Sequence, residues 1–172
     1  MFIVSDYIIQ PQLLYLFGEL DRNGKPCTII VEEDRSFIVD KCPLQVLKDS
    51  IHYVGSDFKG SLASARKTTG RSRMTPMMVN FILNICVFPD RAYKNEYCVW
   101  INSNQIIDTQ PLDGQTVIEF SNGSFFIVNS RLTPFRAKVQ LAEQYRKTNY
   151  ERGKRPISFI LDPKKRPLKK RE

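Results

Sequence analysis

The chain has 172 residues, of which 42% are hydrophobic and 11% aromatic, a composition typical of a folded domain and not of a disordered segment. Its formal charge of +8 favours an anionic partner, either nucleic acid or an acidic membrane surface, and residues 131–172 hold fourteen of the cations but only four acids. No apolar run is long enough to cross a bilayer and no signal peptide opens the chain, so we expect a cytoplasmic protein with buried, reduced thiols.

Strand signals dominate the first quarter of the chain. Residues 13–17 form an apolar run, and residues 27–31 are rich in β-branched side chains. Asn23-Gly24 between them is a strong hairpin signal, because both residues accept the positive φ of a tight turn. Residues 36–41 predict the next strand.

Helix and strand signals are mixed in the middle of the chain. Pro43 predicts the start of a short helix, because proline suits the first helical position. Residues 56–59, between two glycines, predict a turn. A short helix over residues 61–67, capped by Ser61, is expected next, with a loop as the alternative. Residues 77–88 predict two short buried strands with a bend between them.

The last part of the domain changes its periodicity. Residues 116–120 and 124–128 predict a hairpin across a Ser-Asn-Gly turn. Apolar residues then recur at helical spacing and predict a helix over residues 134–147. The whole pattern predicts an α+β fold, with a mostly antiparallel β-sheet scaffold, one longer C-terminal helix and a short helix or loop region near residues 60–70.

Few residues are suited to metal or catalytic chemistry. The four cysteines lack the short spacings of a zinc site, and His52, which we place in a buried segment, is the only histidine. Asp57 and Lys59 have the Asp-x-Lys spacing of many metal-dependent nucleases, but such tripeptides are common. A second carboxylate, Asp40 or Asp49, would be needed to hold Mg²⁺. We expect no enzyme, metal or cofactor, and keep a nuclease as an alternative.

One stretch of the chain is basic without compensation. Residues 58–89 contain no Asp or Glu, and their cations lie among Ser, Thr and Gly residues. Cationic side chains, hydroxyls and backbone N–H groups are the groups that bind phosphate. An ordinary solvated surface is the alternative. The candidate contacts are Lys59, Arg66, Lys67, Arg71 and Arg73.

Aromatic side chains support a different kind of nucleic-acid binding. Trp100, Phe125 and Phe126 lie in predicted strands and could stack on the bases of RNA or single-stranded DNA. Packing in the core of a β-sheet is the alternative for Trp100 and for one of the two adjacent phenylalanines, because neighbours on a strand face opposite sides.

Ordered blocks of sequence resemble the ComK-type competence transcription factors of Gram-positive bacteria. They keep their order and spacing over roughly residues 27–148, although no single block is specific. The blocks are CPLQVLKDS at residues 42–50, YVGSDFKG at 53–60, PMMV at 76–79, VFP at 87–89, CVWI at 98–101 and TVIEFSNG at 116–123, followed by the helix after Phe135.

The resemblance implies a DNA-binding transcriptional activator. Members of this family bind paired A/T-rich promoter boxes through the minor groove, and assemble as dimers that pair on DNA. They activate DNA-uptake genes and, in some species, are controlled by Clp protease adaptors. The resemblance therefore implies double-stranded DNA and further copies of the chain as partners, and a nucleoid-associated location. A minor-groove site suits arginine, which matches the narrow and negative groove of A-tracts.

Two departures from the family pattern bear on the DNA contacts. Ser61 stands where the family usually has an arginine, and Leu141-Ala142 stands where it usually has an Arg-Thr pair. We expect one DNA-binding domain over residues 1–150 and a basic, partly flexible extension over 151–172. Cations of the long helix are expected to add phosphate contacts or to mediate assembly: Arg136, Lys138, Arg146 and Lys147.

Overall fold

The computed structural model describes residues 1–156, in which ten strands, three α-helices and one short 3-10 helix follow one another. In chain order they are β1 (Ile3–Val4), β2 (Leu13–Leu20), β3 (Pro26–Glu32), β4 (Ser36–Val39), α1 (Pro43–Tyr53), α2 (Phe58–Thr69), β5 (Met77–Asn80), β6 (Ile85–Pro89), β7 (Val99–Asn102), the 3-10 helix (Ser103–Gln105), β8 (Ile106–Leu112), β9 (Gln115–Phe120), β10 (Phe125–Val128) and α3 (Leu132–Lys154).

The strands form two sheets. The large sheet has seven strands in the order β1-β4-β3-β2-β7-β6-β5, and the small sheet has three in the order β10-β9-β8. All the strand pairs are antiparallel except β1 with β4. The structure confirms the α+β fold with mostly antiparallel sheets and one long C-terminal helix.

Aromatic residues join the small sheet and α3 to one face of the large sheet. Tyr15 of β2 stacks on Phe126 and Phe120 of the small sheet, with ring centroids 4.2 and 5.4 Å apart. Tyr15 pairs with Ile101 of β7, and Ile101 pairs in turn with Phe88 of β6. Residues that lie opposite one another in paired strands share a face of the sheet, so Tyr15 and Phe88 lie on the same face. The Phe88 ring lies 5.8 Å from that of Phe135 in α3. This face is therefore covered by the small sheet and the long helix.

The opposite face of the large sheet carries α1. Gly18 follows Phe17 in β2, so the two residues face opposite sides of the sheet. A Cβ atom added to Gly18 would lie 3.3 Å from Pro43 Cγ and 2.8 Å from the backbone oxygen of Glu96. Glycine at this position lets the start of α1 approach the strand closely. Ser50 Oγ, buried in α1, accepts a hydrogen bond from the N–H of Ile9 at 3.0 Å. The helix is thus fixed to the sheet by packing and by a buried polar contact.

Helix α2 lies beside α1 and against the edge strand β5. It begins earlier than the sequence predicts, because Asp57 is its N-cap and its carboxylate accepts a hydrogen bond from Gly60 N–H at 2.9 Å. The prediction of Ser61 as the cap was therefore wrong, and residues 56–59 are not a separate turn. A left-handed Gly70, with φ of 68°, ends the helix.

The other predicted elements are confirmed with shifted boundaries. The hairpin of β9 and β10 and the pair β5 and β6 lie where the sequence predicts them. The helix predicted over residues 134–147 extends from Leu132 to Lys154. No helix among residues 1–156 has the length and apolar character needed to cross a bilayer.

The Phe88–Phe135 contact gives a stability test. Phe135 is 0% exposed, so Phe135→Ala leaves a cavity beneath α3 and is expected to lower the free energy of unfolding by about 3–5 kcal/mol. Phe81→Ala is the matched control, because Phe81 is 56% exposed and its loss should change stability by less than about 0.5 kcal/mol. Urea unfolding followed by circular dichroism measures both. Equal losses in the two variants would contradict the packing described.

Candidate nucleic-acid interface

Helix α2 sets the positions of three candidate contacts. Its inner side is fixed by Leu62 and Ala65, which are buried. Lys59, Arg66 and Lys67 are exposed. Lys59 and Arg66 are seven residues apart, which is close to two helical turns, so they lie on the same side of the helix. The sequence folds into a helix here because an aspartate cap, a small-residue interior and a terminal glycine act together.

The loop after α2 carries the other two candidate contacts. Arg71 and Arg73 are exposed. The loop between them and the helix is held by local hydrogen bonds: Thr69 Oγ1 accepts from Arg71 N–H at 3.3 Å, and Thr75 Oγ1 donates to the Arg71 carbonyl at 3.2 Å. The loop therefore continues from the C-terminal end of α2 in a defined conformation. We call residues 58–73 the basic segment.

The cations of the basic segment have no acidic partners within the described part of the chain. Six pairs of charged residues there approach within 4.0 Å, and none of them includes a cation of this segment. The segment itself contains no Asp or Glu. The positive charge is consequently left to solvent, to counterions or to an anionic partner.

Tertiary structure adds two cations that the sequence analysis did not select. Lys48 of α1 places its Nζ 5.7 Å from the centre of the Phe58 ring, at the start of α2. Arg152 of α3 donates a hydrogen bond from Nη1 to Thr68 Oγ1 at 3.4 Å, at the end of α2. Both come from distant parts of the chain, so no local pattern could have revealed them.

The cations of α3 divide into two groups. Arg136 donates to the Oγ1 and to the carbonyl oxygen of Thr109, at 3.0 and 2.8 Å. Lys138 donates to the carbonyl of Asp90, and burial lowers the pKa of its ammonium group. These two side chains fasten α3 to the sheets, and the structure does not bring them to the basic segment.

Further along the same helix, Arg146 and Lys147 differ in their surroundings. Arg146 forms an ion pair with Glu143, with 2.7 Å between Nη2 and Oε2, and its side chain is only 25% exposed. Lys147 is exposed and lies with Tyr150 and Asn84 around a shallow depression. Of the four α3 candidates, Lys147 is the one whose ammonium group makes no hydrogen bond or ion pair with the described residues.

The aromatic candidates are mostly unavailable for stacking on bases. Trp100 is 1% exposed and belongs to the core, which confirms the alternative that we gave for it. Phe126 is half-buried against Tyr15. Phe125 points outward and is 65% exposed.

The carboxylates considered for a nuclease site each bond to other groups of the protein. Asp57 caps α2, Asp40 pairs with Lys25 at 2.7 Å, and Asp49 pairs with Lys41 at 2.7 Å. No cluster of three or more residues that could hold a metal ion occurs within residues 1–156.

The environments of the histidine and of one cysteine differ from the sequence prediction. His52 is exposed, because it lies on the outer side of α1, so the prediction that it is buried was wrong. All four cysteines are free thiols, and Cys42 is exposed. The other three are buried, and burial raises the pKa of Cys98 to about 12, which keeps that thiol protonated.

Fold and charge together define an α+β protein with one acid-free basic segment on its surface. The sequence model described as the ComK protein matches residues 4–154, and the chain therefore belongs to the ComK family. This confirms the resemblance drawn from the ordered sequence blocks.

Part of the chain is also similar to a curated protein. The chain is similar to the competence transcription factor of Bacillus subtilis (strain 168), with 31% identity over 102 residues. The match covers 59% of this chain and 53% of that protein, so the chain spans about half the length of the relative. No solved structure matches the chain.

The contacts of Arg136 give a second stability test. Arg136→Gln removes two charge-assisted hydrogen bonds between α3 and β8, and should lower the free energy of unfolding by about 1–2 kcal/mol. Lys147→Gln, on the same helix and exposed, is the control and should change it by less than about 0.5 kcal/mol. Guanidinium unfolding measures both values. If the free energy of unfolding of Arg136→Gln equalled that of the wild type, the contact of Arg136 with Thr109 would not stabilise the fold.

Proposed function

We propose that the chain is a sequence-specific DNA-binding transcriptional activator of competence genes, which binds A/T-rich boxes through the minor groove. Membership of the ComK family supports this, as does similarity to a protein named a competence transcription factor. The observation that carries the proposal is the basic segment, five exposed cations on one helix and its following loop with no acid among them.

The shape of the basic segment suits a duplex. Lys59 and Lys67 are eight residues apart on α2, which corresponds to about 12 Å along the helix axis. Phosphates of one strand advance by about 3.4 Å each along the duplex axis. The helix can therefore contact several consecutive phosphates. The C-terminal loop then places Arg71 and Arg73 beyond the helix end, where they can enter a groove.

We assign groove contacts to arginines of the segment and phosphate contacts to its lysines. The guanidinium group is planar, weakly hydrated and always charged, and it is favoured in the narrow minor groove of A/T-rich DNA. An ammonium group acts as a point charge toward phosphate. Arg66, Arg71 and Arg73 are the proposed groove residues, and Lys59 and Lys67 the proposed backbone contacts. Lys147 can add a further phosphate contact from α3.

Other parts of the expectation rest on the resemblance alone. Pairing of dimers on DNA, control by a Clp protease adaptor and a nucleoid-associated location in the cytoplasm remain predictions. The division of the chain into a single domain over residues 1–150 and a basic extension also remains a prediction. Residues 157–172 of that extension lie outside the described part of the chain.

Removal of two arginines tests the proposed site. Arg66→Ala with Arg71→Ala should weaken binding to an A/T-box duplex at least tenfold, and should reduce the slope of log K against log salt by about 2, because two cationic contacts are lost. Both side chains are exposed, so the melting temperature should be unchanged. The matched control is Arg22→Ala with Arg131→Ala, which removes two exposed arginines outside the basic segment and should keep the affinity near that of the wild type.

Three competitors identify the nucleic acid. A G/C-rich duplex of equal length should compete weakly in a gel shift at matched salt, and so should a single strand or an RNA of the same length. Equal competition by the G/C duplex would overturn the A/T preference. Stronger competition by the single strand or RNA would favour a single-strand or RNA binder. Unchanged A/T-box binding in the double variant would reject the basic segment as the DNA site.

A further inference from the structure

A small cleft lies where the C-terminal end of α2 meets the C-terminal half of α3. The two helices are in contact, and the cleft between them has a volume of about 250 Å³. Buried Tyr145 and half-buried Leu141 supply its apolar lining. Pockets for drug-sized molecules have volumes of about 300–1,000 Å³, so this cleft suits a smaller group. Its polar lining comes from both helices: Thr68, Thr69, Gln144, Thr148 and Arg152.

The polar residues that α3 contributes form one row along the helix. Gln144, Thr148 and Arg152 follow one another at intervals of four residues, so they lie on the same side of α3. The row extends over about 12 Å of the helix axis. At its end, Arg152 Nη1 donates across the cleft to Thr68 Oγ1 at 3.4 Å. The row therefore faces the end of α2.

Several hydrogen-bond donors of the cleft are left free by the rest of the described structure. The side chains of Gln144 and Thr148 make no hydrogen bond with another residue of the range 1–156. Thr68 accepts from Arg152, which leaves its hydroxyl proton available to donate. Arg152 is absent from the ion pairs of the described residues. The cleft thus presents hydroxyl, amide and guanidinium donors to a bound group.

The charges around the cleft favour an anion. The C-terminal ends of α2 and α3 each carry roughly half a negative charge, which disfavours an anion there. The last turns of the same helices hold three full positive charges, on Arg66, Lys67 and Arg152, which outweigh the two helix ends. None of the residues that line the cleft is acidic, and Glu151, which precedes Arg152, is not among them.

We propose that this cleft binds a phosphate group. Arg152 supplies the positive charge, and the phosphate oxygens accept hydrogen bonds from the side chains of Thr68, Thr148 and Gln144. Arginine, threonine and glutamine are among the residues that commonly contact phosphate, and hydrogen bonds from a guanidinium group to phosphate are strong ones. A tetrahedral group with several acceptor oxygens can use donors that converge from two helices at once.

The phosphate is one of the DNA backbone, and this part rests on the proposed function. Thr68 and Thr69 stand between Lys67 and Arg71, so the cleft opens within the basic segment. Thr69 also fixes the following loop, since its hydroxyl accepts from Arg71 N–H at 3.3 Å. A strand held in the cleft therefore lies beside the proposed groove arginines. Phosphate contacts set the position of a protein on the duplex and carry no sequence information themselves.

Removal of the Arg152 charge gives the first test. Arg152→Gln should weaken binding by a similar factor for an A/T-box duplex and for a G/C-rich duplex, and should reduce the slope of log K against log salt by about 0.9, because one phosphate contact is lost. Lys154→Gln is the matched control. It removes one charge two residues later, about 200° around the helix, so it points away from the cleft and should keep the slope of the wild type.

A neutral substitution gives the second test and guards against a general effect of charge. Thr148→Val is nearly isosteric and removes only the hydroxyl, so it should weaken duplex binding about threefold while the salt slope stays unchanged. Thr133→Val is the matched control, because Thr133 is exposed in the first turn of the same helix. It should bind like the wild type. Melting temperatures of all four variants should stay near that of the wild type.

A neutral phosphate analogue locates the contact on the DNA. Single methylphosphonate linkages are placed in turn along each strand of the A/T-box duplex, and the affinity of each duplex is measured. At the contacted linkage the wild type should lose affinity, and Arg152→Gln should lose no more, because the cation and the phosphate act as a pair. If the effects of Arg152→Gln and of every linkage simply add, the cleft holds no backbone phosphate.

The outcomes separate this proposal from the proposed function. A wild-type chain that binds no A/T-box duplex would overturn both. Equal duplex binding by the wild type, Arg152→Gln and Thr148→Val would overturn the cleft alone, and so would a loss confined to the A/T-box duplex. Inorganic phosphate, exchanged for chloride at constant ionic strength, distinguishes the source of the group. If it raises the melting temperature of the wild type but not of Arg152→Gln, while both bind DNA equally, the site takes free phosphate and not the backbone.

Discussion

The contact of Tyr15 with Phe126 and Phe120 is the interaction on which the rest of the structure depends. It joins the small sheet to the large one, and the packing of Phe135 on Phe88 extends the same layer to α3. Each sheet has an apolar face that must be shielded from water. The aromatic contacts pack these two faces against each other, so each sheet shields part of the other. With that face filled, α1 packs on the opposite face of the large sheet, and α2 lies at the β5 edge in contact with both α1 and α3. The basic segment is thereby held on the outside of a rigid layer.

Charge is arranged so that part of it stabilises the fold and part remains available. Arg136, Lys138 and Arg146 are bonded to protein groups, and their neighbours compensate the cost of placing charge at a partly buried surface. The five cations of the basic segment have no such compensation in the described structure. Their mutual repulsion is tolerated because α2 is anchored through Leu62 and Ala65 and closed by Asp57 and Gly70. A polyanion is the natural complement to a helix of this kind.

The sequence by itself determined the strand pattern, the β9–β10 hairpin, the family and the acid-free basic stretch, because local periodicity, turn residues and charge are readable from neighbouring residues. It misplaced the start of α2, since Asp57 and Ser61 are both good caps and the packing of α2 against its neighbours decides between them. Only the tertiary structure decided which cations of α3 are bonded to Thr109 and Asp90. It also decided that Lys48 and Arg152 lie beside the basic segment. These contacts link residues far apart in the chain, and burial and distance between such residues have no local signature.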